Sequence, residues 1–308
     1  MCATQPWLPE LPSHFQHDIM IDDEPSDFHT TEPLLGRVVL ITGANTGIGL
    51  VTARELKQRG AHVFIACRSE ERAQAALVVI NKASGRVPAE FLPLDLGDFD
   101  SIRRCAQLFL ARKIPLHLLI NNAGLAGSHG VTKSGFELAF GTNHVGHFLL
   151  TQLLVAHIKK SVPARIITVA SRAHTRVSGI DWDAVRKPTK SFTGIHEYGV
   201  SKLANVLFSY ELARRLHGSG IHTYSLHPGV VASDVWRSVP WPVRALLKLN
   251  MISTEQGAAT SVYCAISPDA GMETGQYYDK CRAKDVSKVA RDTKLATELW
   301  QRSEDWVR

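Results

Sequence analysis

The sequence has little of what marks several other classes of protein. Its 308 residues include five cysteines, an odd number, with no CxxC spacing among them. This pattern predicts neither a disulfide framework nor a zinc site, and it is typical of a reducing compartment. No run of eighteen or more apolar residues occurs, so we predict no membrane-spanning helix.

Clusters of charge and two common hydrolase motifs are missing as well. The formal net charge is +6, but no basic run is longer than Lys159-Lys160, which argues against a nucleic-acid surface. A mild positive excess fits an anionic cofactor or peripheral contact with an acidic membrane. The absence of GxSxG argues against a serine hydrolase. His144 and His147 in "NHVGHF" lack the glutamate of HExxH, so we predict packing roles and no metal site.

The first segment of the chain reads differently from the remainder. Residues 1–34 carry prolines, acids and scattered aromatics, without the basic start and apolar run of a secretory signal. We predict a flexible extension over 1–34, one catalytic domain over 35–308, and a cytoplasmic location.

From position 36, short apolar runs alternate with amphipathic stretches. "RVVLIT" at 37–42 and "HVFIAC" at 62–67 predict buried strands, each followed by a helix, and Ser69 is the predicted N-cap of the second helix. Further strands are predicted within 89–96, 116–124, 164–171 and 221–229. Strands that alternate with helices indicate an α/β Rossmann fold, with a doubly wound parallel sheet flanked by helices.

A glycine-rich turn joins the first strand to the first helix. "ITGANTGIGL" places Gly43, Gly47 and Gly49 where a diphosphate would need close backbone N–H groups and the positive end of a helix. A glycine triplet between a predicted strand and helix favours a dinucleotide site. The alternative is a tight turn that allows close helix–sheet packing.

The end of the second strand bears on the choice of cofactor. NAD sites usually have an Asp or Glu there, whereas this sequence has Cys67 and then Arg68. A guanidinium can bind a 2′-phosphate in bidentate fashion, so we predict NADP(H). The alternative for Arg68 is an ordinary solvated arginine. Asp95 is predicted near the adenine, and "NNAG" at 121–124 near the ribose.

In order along the chain, these motifs resemble those of the short-chain dehydrogenase/reductase family. The resemblance rests on "TGANTGIG", "NNAG", Ser171 in "ITVAS", "YGVSK" at 198–202 and "HPG" at 227–229. Finer detail, including "ACRS", "NHVGHFLLTQLL" and "SKLANVLFSYELARRL", is similar to the retinol dehydrogenase branch. The 27 positions from Ser171 to Tyr198 are also similar to that branch.

The resemblance implies roles for individual residues. It implies that Tyr198 is the catalytic acid/base, Lys202 its partner, Ser171 the hydroxyl that positions the carbonyl, and Asn143 the organiser of a water link from Lys202 to solvent. A neighbouring ammonium favours phenolate, so we predict that Lys202 lowers the pKa of Tyr198. The alternative is a surface Tyr/Lys pair at i,i+4. The predicted cofactor contacts are Gly43, Asn45, Thr46, Gly47, Ile48, Gly49, Arg68, Asp95, Leu96, Asn122, Ala123, Gly124, Tyr198, Lys202, Pro228 and Gly229.

The segment after the last of these motifs is apolar and contains Trp236 and Trp241. The resemblance implies a substrate lid around 230–253 and a hydrophobic carbonyl or alcohol as substrate, with retinal/retinol favoured. In reducing cells rich in NADPH, reduction is the expected direction. The alternative for the tryptophans is packing of this segment against the core. Steroids, lipid aldehydes and xenobiotic carbonyls are alternative substrates. A non-catalytic NADP(H)-binding redox sensor is the alternative function. Members of the family often form dimers, so a homodimer is possible here as well. The hydrophobic anchor usual in the microsomal members is missing from this N-terminus.

Overall fold

The computed structural model describes residues 34–83, 87–231 and 252–308. The predicted N-terminal extension and nearly all of the predicted lid therefore lie outside the described residues. The described strands are β1 Val38–Thr42, β2 His62–Cys67, β3 Glu90–Pro93, β4 Leu118–Asn121, β5 Ala164–Val169, β6 Ile221–His227, β7 Gln276–Asp279 and β8 Arg282–Ala283. The described α-helices are α1 Gly47–Gln58, α2 Glu70–Ile80, α3 Phe99–Leu110, α4 Leu138–Phe140, α5 Gly146–Ile158, α6 Ile195–Arg215, α7 Thr254–Ile266 and α8 Thr293–Val307.

The eight strands form one sheet in the order β3-β2-β1-β4-β5-β6-β7-β8. All neighbouring strands are parallel except β7 and β8, which are antiparallel. The predicted doubly wound parallel sheet is confirmed. The strand order reverses between β1 and β4, and in such sheets a crevice opens at the carboxyl ends of the strands at that point.

Alternate residues of the central strands supply two cores, one on each face of the sheet. Val39 and Ile41 of β1 pack with apolar side chains of α1, α2 and α7, whereas Leu40 packs with those of α3, α5 and α6. Because side chains alternate across a strand, a strand buried on both faces has to be apolar throughout.

Local sequence signals mark the start of α2 and the end of α1 where the sequence predicts them. The Ser69 hydroxyl accepts a hydrogen bond from the N–H of Arg72 and caps α2. Gly60, with φ of +93°, follows the last turn of α1 and adopts the left-handed conformation that suits glycine after a helix.

The C-terminal helix α8 packs against α5 and α6. Trp300 stacks on Phe208 of α6, with ring centroids 6.0 Å apart, and meets Phe148 of α5 edge-on at 5.0 Å. The Arg215 guanidinium lies 4.4 Å from the centre of the Trp300 ring. Trp300 thus covers part of the surface of α6 and touches α5, whose Ala156 stays exposed.

Candidate active site

A cleft of about 740 Å³ opens at the carboxyl ends of the parallel strands. Its lining comes mainly from the segments that follow β1, β2, β3, β4, β5 and β6, and from the start of α6. Every residue predicted to contact a cofactor lies in this lining. The volume is in the range of small-molecule sites.

The glycine turn follows β1, at the point where the strand order reverses between β1 and β4. Gly43 and Gly47 have φ of +67° and +57°, a region that L side chains rarely adopt. A Cβ on Gly49 would lie 2.5 Å from Nδ2 of Asn122 and 2.6 Å from the carbonyl oxygen of Gly43. The glycines therefore serve backbone conformation and close packing, as the packing interpretation requires, and they leave the role of the turn in ligand binding as a prediction.

The N-terminus of α1 faces the cleft. Gly47, Ile48 and Gly49 are its first residues and all three line the cleft, and the first turn contains no acidic residue. The first N–H groups of a helix lack acceptors within the helix, and the helix dipole favours an anion there. This cradle fits a diphosphate.

A buried histidine ties the turn to the rest of the site. The Nδ1–H of His147 donates to the carbonyl oxygen of Asn143 at 2.9 Å, so its neutral ring accepts at Nε2 from the Thr42 hydroxyl at 2.8 Å. The same hydroxyl accepts the N–H groups of Asn122 and Ala123. Burial lowers the pKa of His147 to about 4, which keeps the ring neutral.

The lining of the cleft is rich in basic side chains. Arg68 and Arg72 are exposed at the end of β2 and the start of α2. Arg172, Arg176 and Lys202 also lie in the lining, and Asp95 is the one carboxylate among the described residues there. This charge suits an anionic ligand. Arg72 was missed by the sequence analysis, although its position four residues after Arg68 on the predicted helix offered a signal.

Tyr198 and Lys202 lie one turn apart on α6 and are 7% and 3% exposed. Both side chains are therefore buried, which does not fit the alternative of a Tyr/Lys pair on the protein surface. Tyr198 is hydrogen-bonded to Ser171, which follows β5 and lines the cleft. The Nζ of Lys202 donates to the carbonyl oxygen of Val169 at 2.7 Å and lies 5.7 Å from the centre of the Tyr198 ring.

Burial shifts the pKa values of both members of this pair. Burial raises the pKa of Tyr198, and the hydrogen bond with Ser171 opposes this only in part. Burial also lowers the pKa of Lys202 to about 7. The net shift of the Tyr198 pKa is therefore upward, because desolvation of the phenol is its largest cause. The lowering effect of Lys202 on this pKa stays a prediction.

Asn143 lies in a π-helical turn, Gly141–Val145, and is fully buried behind the cleft. Its side chain bonds to both the N–H and the carbonyl oxygen of Leu125, and its Nδ2 also donates to the hydroxyl of Ser201. Among the described contacts, it holds the segment after β4 to α6 and makes no direct bond to Lys202. The predicted water link stays a prediction.

The sequence analysis also missed the outer part of the lining. The additional residues with apolar or hydroxyl side chains include Leu125, Ser128, Ala173, Thr175, Phe192, Thr193 and Ile195. They lie on loops whose course depends on tertiary packing. The wide interval between Ser171 and Tyr198 was the only available signal for those at 173–195.

His144 and His147 are both buried and hydrogen-bonded to protein groups, as a packing role requires. In the described ranges, no group of three His, Cys, Asp or Glu side chains is placed to hold a metal ion. Nor does any helix there combine the length and apolar character needed to cross a membrane.

The fold and cleft define a dinucleotide-binding oxidoreductase. Residues 37–241 match the family model for short chain dehydrogenases, and this chain belongs to that family. It is 43% identical to mouse retinol dehydrogenase 12 over 279 residues, with 88% of this chain and 86% of the relative covered. It is 42% identical to human retinol dehydrogenase 11, with 90% and 87% covered. The crystal structure of an uncharacterised protein from Mycobacterium paratuberculosis superposes with a TM-score of 0.72 at 31% identity, with 90% and 96% covered.

Proposed function

We propose that this protein is an NADP(H)-dependent oxidoreductase that interconverts a hydrophobic carbonyl and its alcohol, with retinal and retinol as the favoured pair. The observation that carries this proposal is the hydrogen-bonded Ser171–Tyr198 pair, one helical turn from Lys202, at a cleft whose glycine turn fits a diphosphate. The retinol dehydrogenases at 42–43% identity support the substrate class.

We propose reduction as the physiological direction, because cells keep NADP(H) mainly reduced. The cleft residues would hold NADPH, which would supply the hydride. Because its pKa is raised, the Tyr198 phenol keeps its proton at neutral pH and can donate it to the carbonyl oxygen as negative charge develops there. Ser171, hydrogen-bonded to Tyr198, is placed to bind the same oxygen. The phenolate that remains would favour the ammonium form of Lys202, which then stabilises it.

Arg68 supports the choice of NADP(H). It is the residue that follows β2, its side chain is exposed, and it lines the cleft where an NAD-specific site would have a carboxylate. Arg72 adds a second guanidinium to the same end of the lining. Both guanidinium groups can bind a phosphate, whereas the adenosine ribose of NAD has no negative charge for them to bind.

The first test is the loss of NADPH absorbance with all-trans-retinal and with a panel of apolar aldehydes and ketones, repeated with NADH. We expect turnover of retinal with NADPH and little with NADH. Turnover of another carbonyl alone would keep the reaction and remove retinal from the proposal.

Tyr198→Phe tests the catalytic assignment. The variant keeps the ring and loses the proton, so we expect turnover to fall by on the order of 100-fold or more, with NADPH binding retained as measured by nucleotide fluorescence. Unchanged turnover in Tyr198→Phe would remove Tyr198 from the mechanism. Tight NADPH binding with no turnover of any carbonyl by the unaltered protein would favour the redox sensor.

A further inference from the structure

An exposed phenylalanine stands at the mouth of the cleft. Phe192 is 90% exposed and belongs to the rim loop, residues 187–194, which immediately precedes α6. Phe192 and Thr193 line the cleft together with Leu125, Ser128 and Ile195. Val230 and Val231, which follow the HPG motif, also belong to the lining. The lining therefore includes apolar side chains as well as the basic side chains of Arg68 and Arg72.

A carboxylate on α6 binds the rim loop from one side. Glu197 accepts hydrogen bonds from the N–H of Lys190 at 3.0 Å and the N–H of Ser191 at 2.8 Å, and also from the Ser191 hydroxyl. Although burial acts to raise it, these hydrogen bonds hold the pKa of Glu197 below its ordinary value. The carboxylate is thus ionised at neutral pH, and it is the residue next to Tyr198.

The segment after β4 binds the rim loop from the other side. The Thr189 hydroxyl donates to Oε1 of Glu137 at 2.5 Å, and the Nε2–H of His129 donates to the carbonyl oxygen of Ser191 at 3.0 Å. Gly194, with φ of +64°, brings the loop so close to Gly127 that a Cβ there would lie 3.0 Å from the Gly127 Cα.

These two sets of contacts hold an apolar side chain out in water. A loop without them could turn Phe192 inward against protein, since burial of apolar area is favourable. Instead, hydrogen bonds hold the loop at residues 189–191, just before Phe192, and the close approach of Gly194 to Gly127 holds it two residues after Phe192. A side chain presented this way can be buried by a ligand that enters the cleft.

We infer that Phe192 is a specificity-determining residue that packs against the apolar part of the substrate, and that Glu197 is the positioning residue that holds it there. The inference rests on the proposed function and adds to it the contact that selects long apolar carbonyl compounds over short ones. Ser191 mediates the effect, because its N–H and hydroxyl both bind the Glu197 carboxylate.

The test compares NADPH-dependent reduction of straight-chain aldehydes from propanal to decanal by the full chain and by Phe192→Ala. For each aldehyde we compare KM of the variant with KM of the unaltered protein. We expect this ratio to grow with aldehyde length, from near one for propanal to on the order of 10 for decanal, with little change in kcat. Met272→Ala is the matched control, because Met272 is 86% exposed and lies outside the cleft lining. An equal change for all lengths, or no change, would overturn the role of Phe192.

Glu197→Ala tests the positioning role. We expect the same length-dependent rise in KM, with kcat for propanal retained and with partial rescue in Glu197→Gln, whose carbonyl oxygen can still accept an N–H. A loss of kcat at every length would show that Glu197 acts only on the fold of α6, and would overturn its positioning role. The unaltered protein separates the two proposals. If it reduces no carbonyl at all, the proposed function fails; if it reduces aldehydes but Phe192→Ala has the same length dependence, only this inference fails.

Discussion

At the scale of single residues, the sharpest consequence concerns cofactor choice. We predict that Arg68→Ala raises KM for NADPH by on the order of 10-fold to 100-fold, because a charge-assisted hydrogen bond to phosphate contributes about 1.5–3 kcal/mol. KM for NADH should change little, since NADH has no 2′-phosphate. Steady-state kinetics with both cofactors measure this, and Arg72→Ala gives the share of the second guanidinium. Arg302→Ala is the charge-matched control, because Arg302 lies outside the cleft lining. An equal rise for both cofactors would contradict the assignment.

How far single residues were predictable depends on whether their signal is local. Ser69 as a cap and Arg68 after β2 were readable from neighbours in sequence, and the structure places both as expected. The pKa of Tyr198 was not readable, because it depends on how deeply α6 is buried, and no pattern within "YGVSK" reports that. Phe192 was missed because the wide interval between Ser171 and Tyr198 indicates an insertion but does not show which of its residues reach the cleft.

At the scale of elements, the β1–α1 turn makes a prediction of its own. Gly49→Ala would place a methyl group 2.5 Å from Nδ2 of Asn122 and 2.6 Å from a backbone oxygen. We expect a loss of stability of about 1–3 kcal/mol from overpacking, together with weaker NADPH binding, because the first turn of α1 has to shift. Chemical denaturation and nucleotide fluorescence measure the two effects.

Gly179→Ala is the matched control for that substitution. A Cβ at Gly179 meets no atom within 4 Å, and its φ is not positive. We expect the control to match the unaltered protein in both measurements. If Gly49→Ala behaved like the control, the turn would tolerate a side chain and the packing explanation of Gly49 would be wrong.

The elements themselves were largely predictable, and for a physical reason. The central strands are buried on both faces, so each is a continuous apolar run that stands out in the sequence, and β2 was predicted to the residue. Strands β7 and β8 were not predicted. Lys280 and Cys281, with φ of +54° and +59°, form the turn between them, where no glycine or asparagine marks it.

At the scale of the whole molecule, buried histidines make stability depend on pH. Burial lowers the pKa of His144 to about 3 and those of His147 and His227 to about 4. An unfolded chain binds protons at these residues near pH 6.5. Between pH 6.5 and about 4 the unfolded state therefore binds more protons than the folded state, and stability falls as pH falls.

We predict a loss approaching about 1.4 kcal/mol per histidine for each pH unit in that window. Denaturant unfolding at pH 7, 6 and 5 measures it. His144→Phe should flatten the profile, because it removes one titrating group from a site surrounded by aromatic rings. A profile that is flat from pH 7 to pH 5 in the unaltered protein would contradict the prediction.

The cytoplasmic location and peripheral membrane contact stay predictions from the sequence.

The packing of α8 bears on how copies of this protein can meet. Trp300 of α8 stacks on Phe208 of α6 and also meets Phe148 of α5 edge-on, so the side of α6 that faces α8 already has a partner, whereas Ala156 of α5 stays exposed. A second copy could pair through that side of α6 only by displacing Trp300, which would return a buried indole to water at a cost of several kcal/mol. We therefore expect light scattering at micromolar concentration to give the mass of one chain. A mass of two chains would contradict this expectation and would show that the copies pair through a different surface. In a monomer of this kind, the C-terminal helix would supply contacts that a second chain supplies in a dimer, and we expect its stability not to depend on protein concentration.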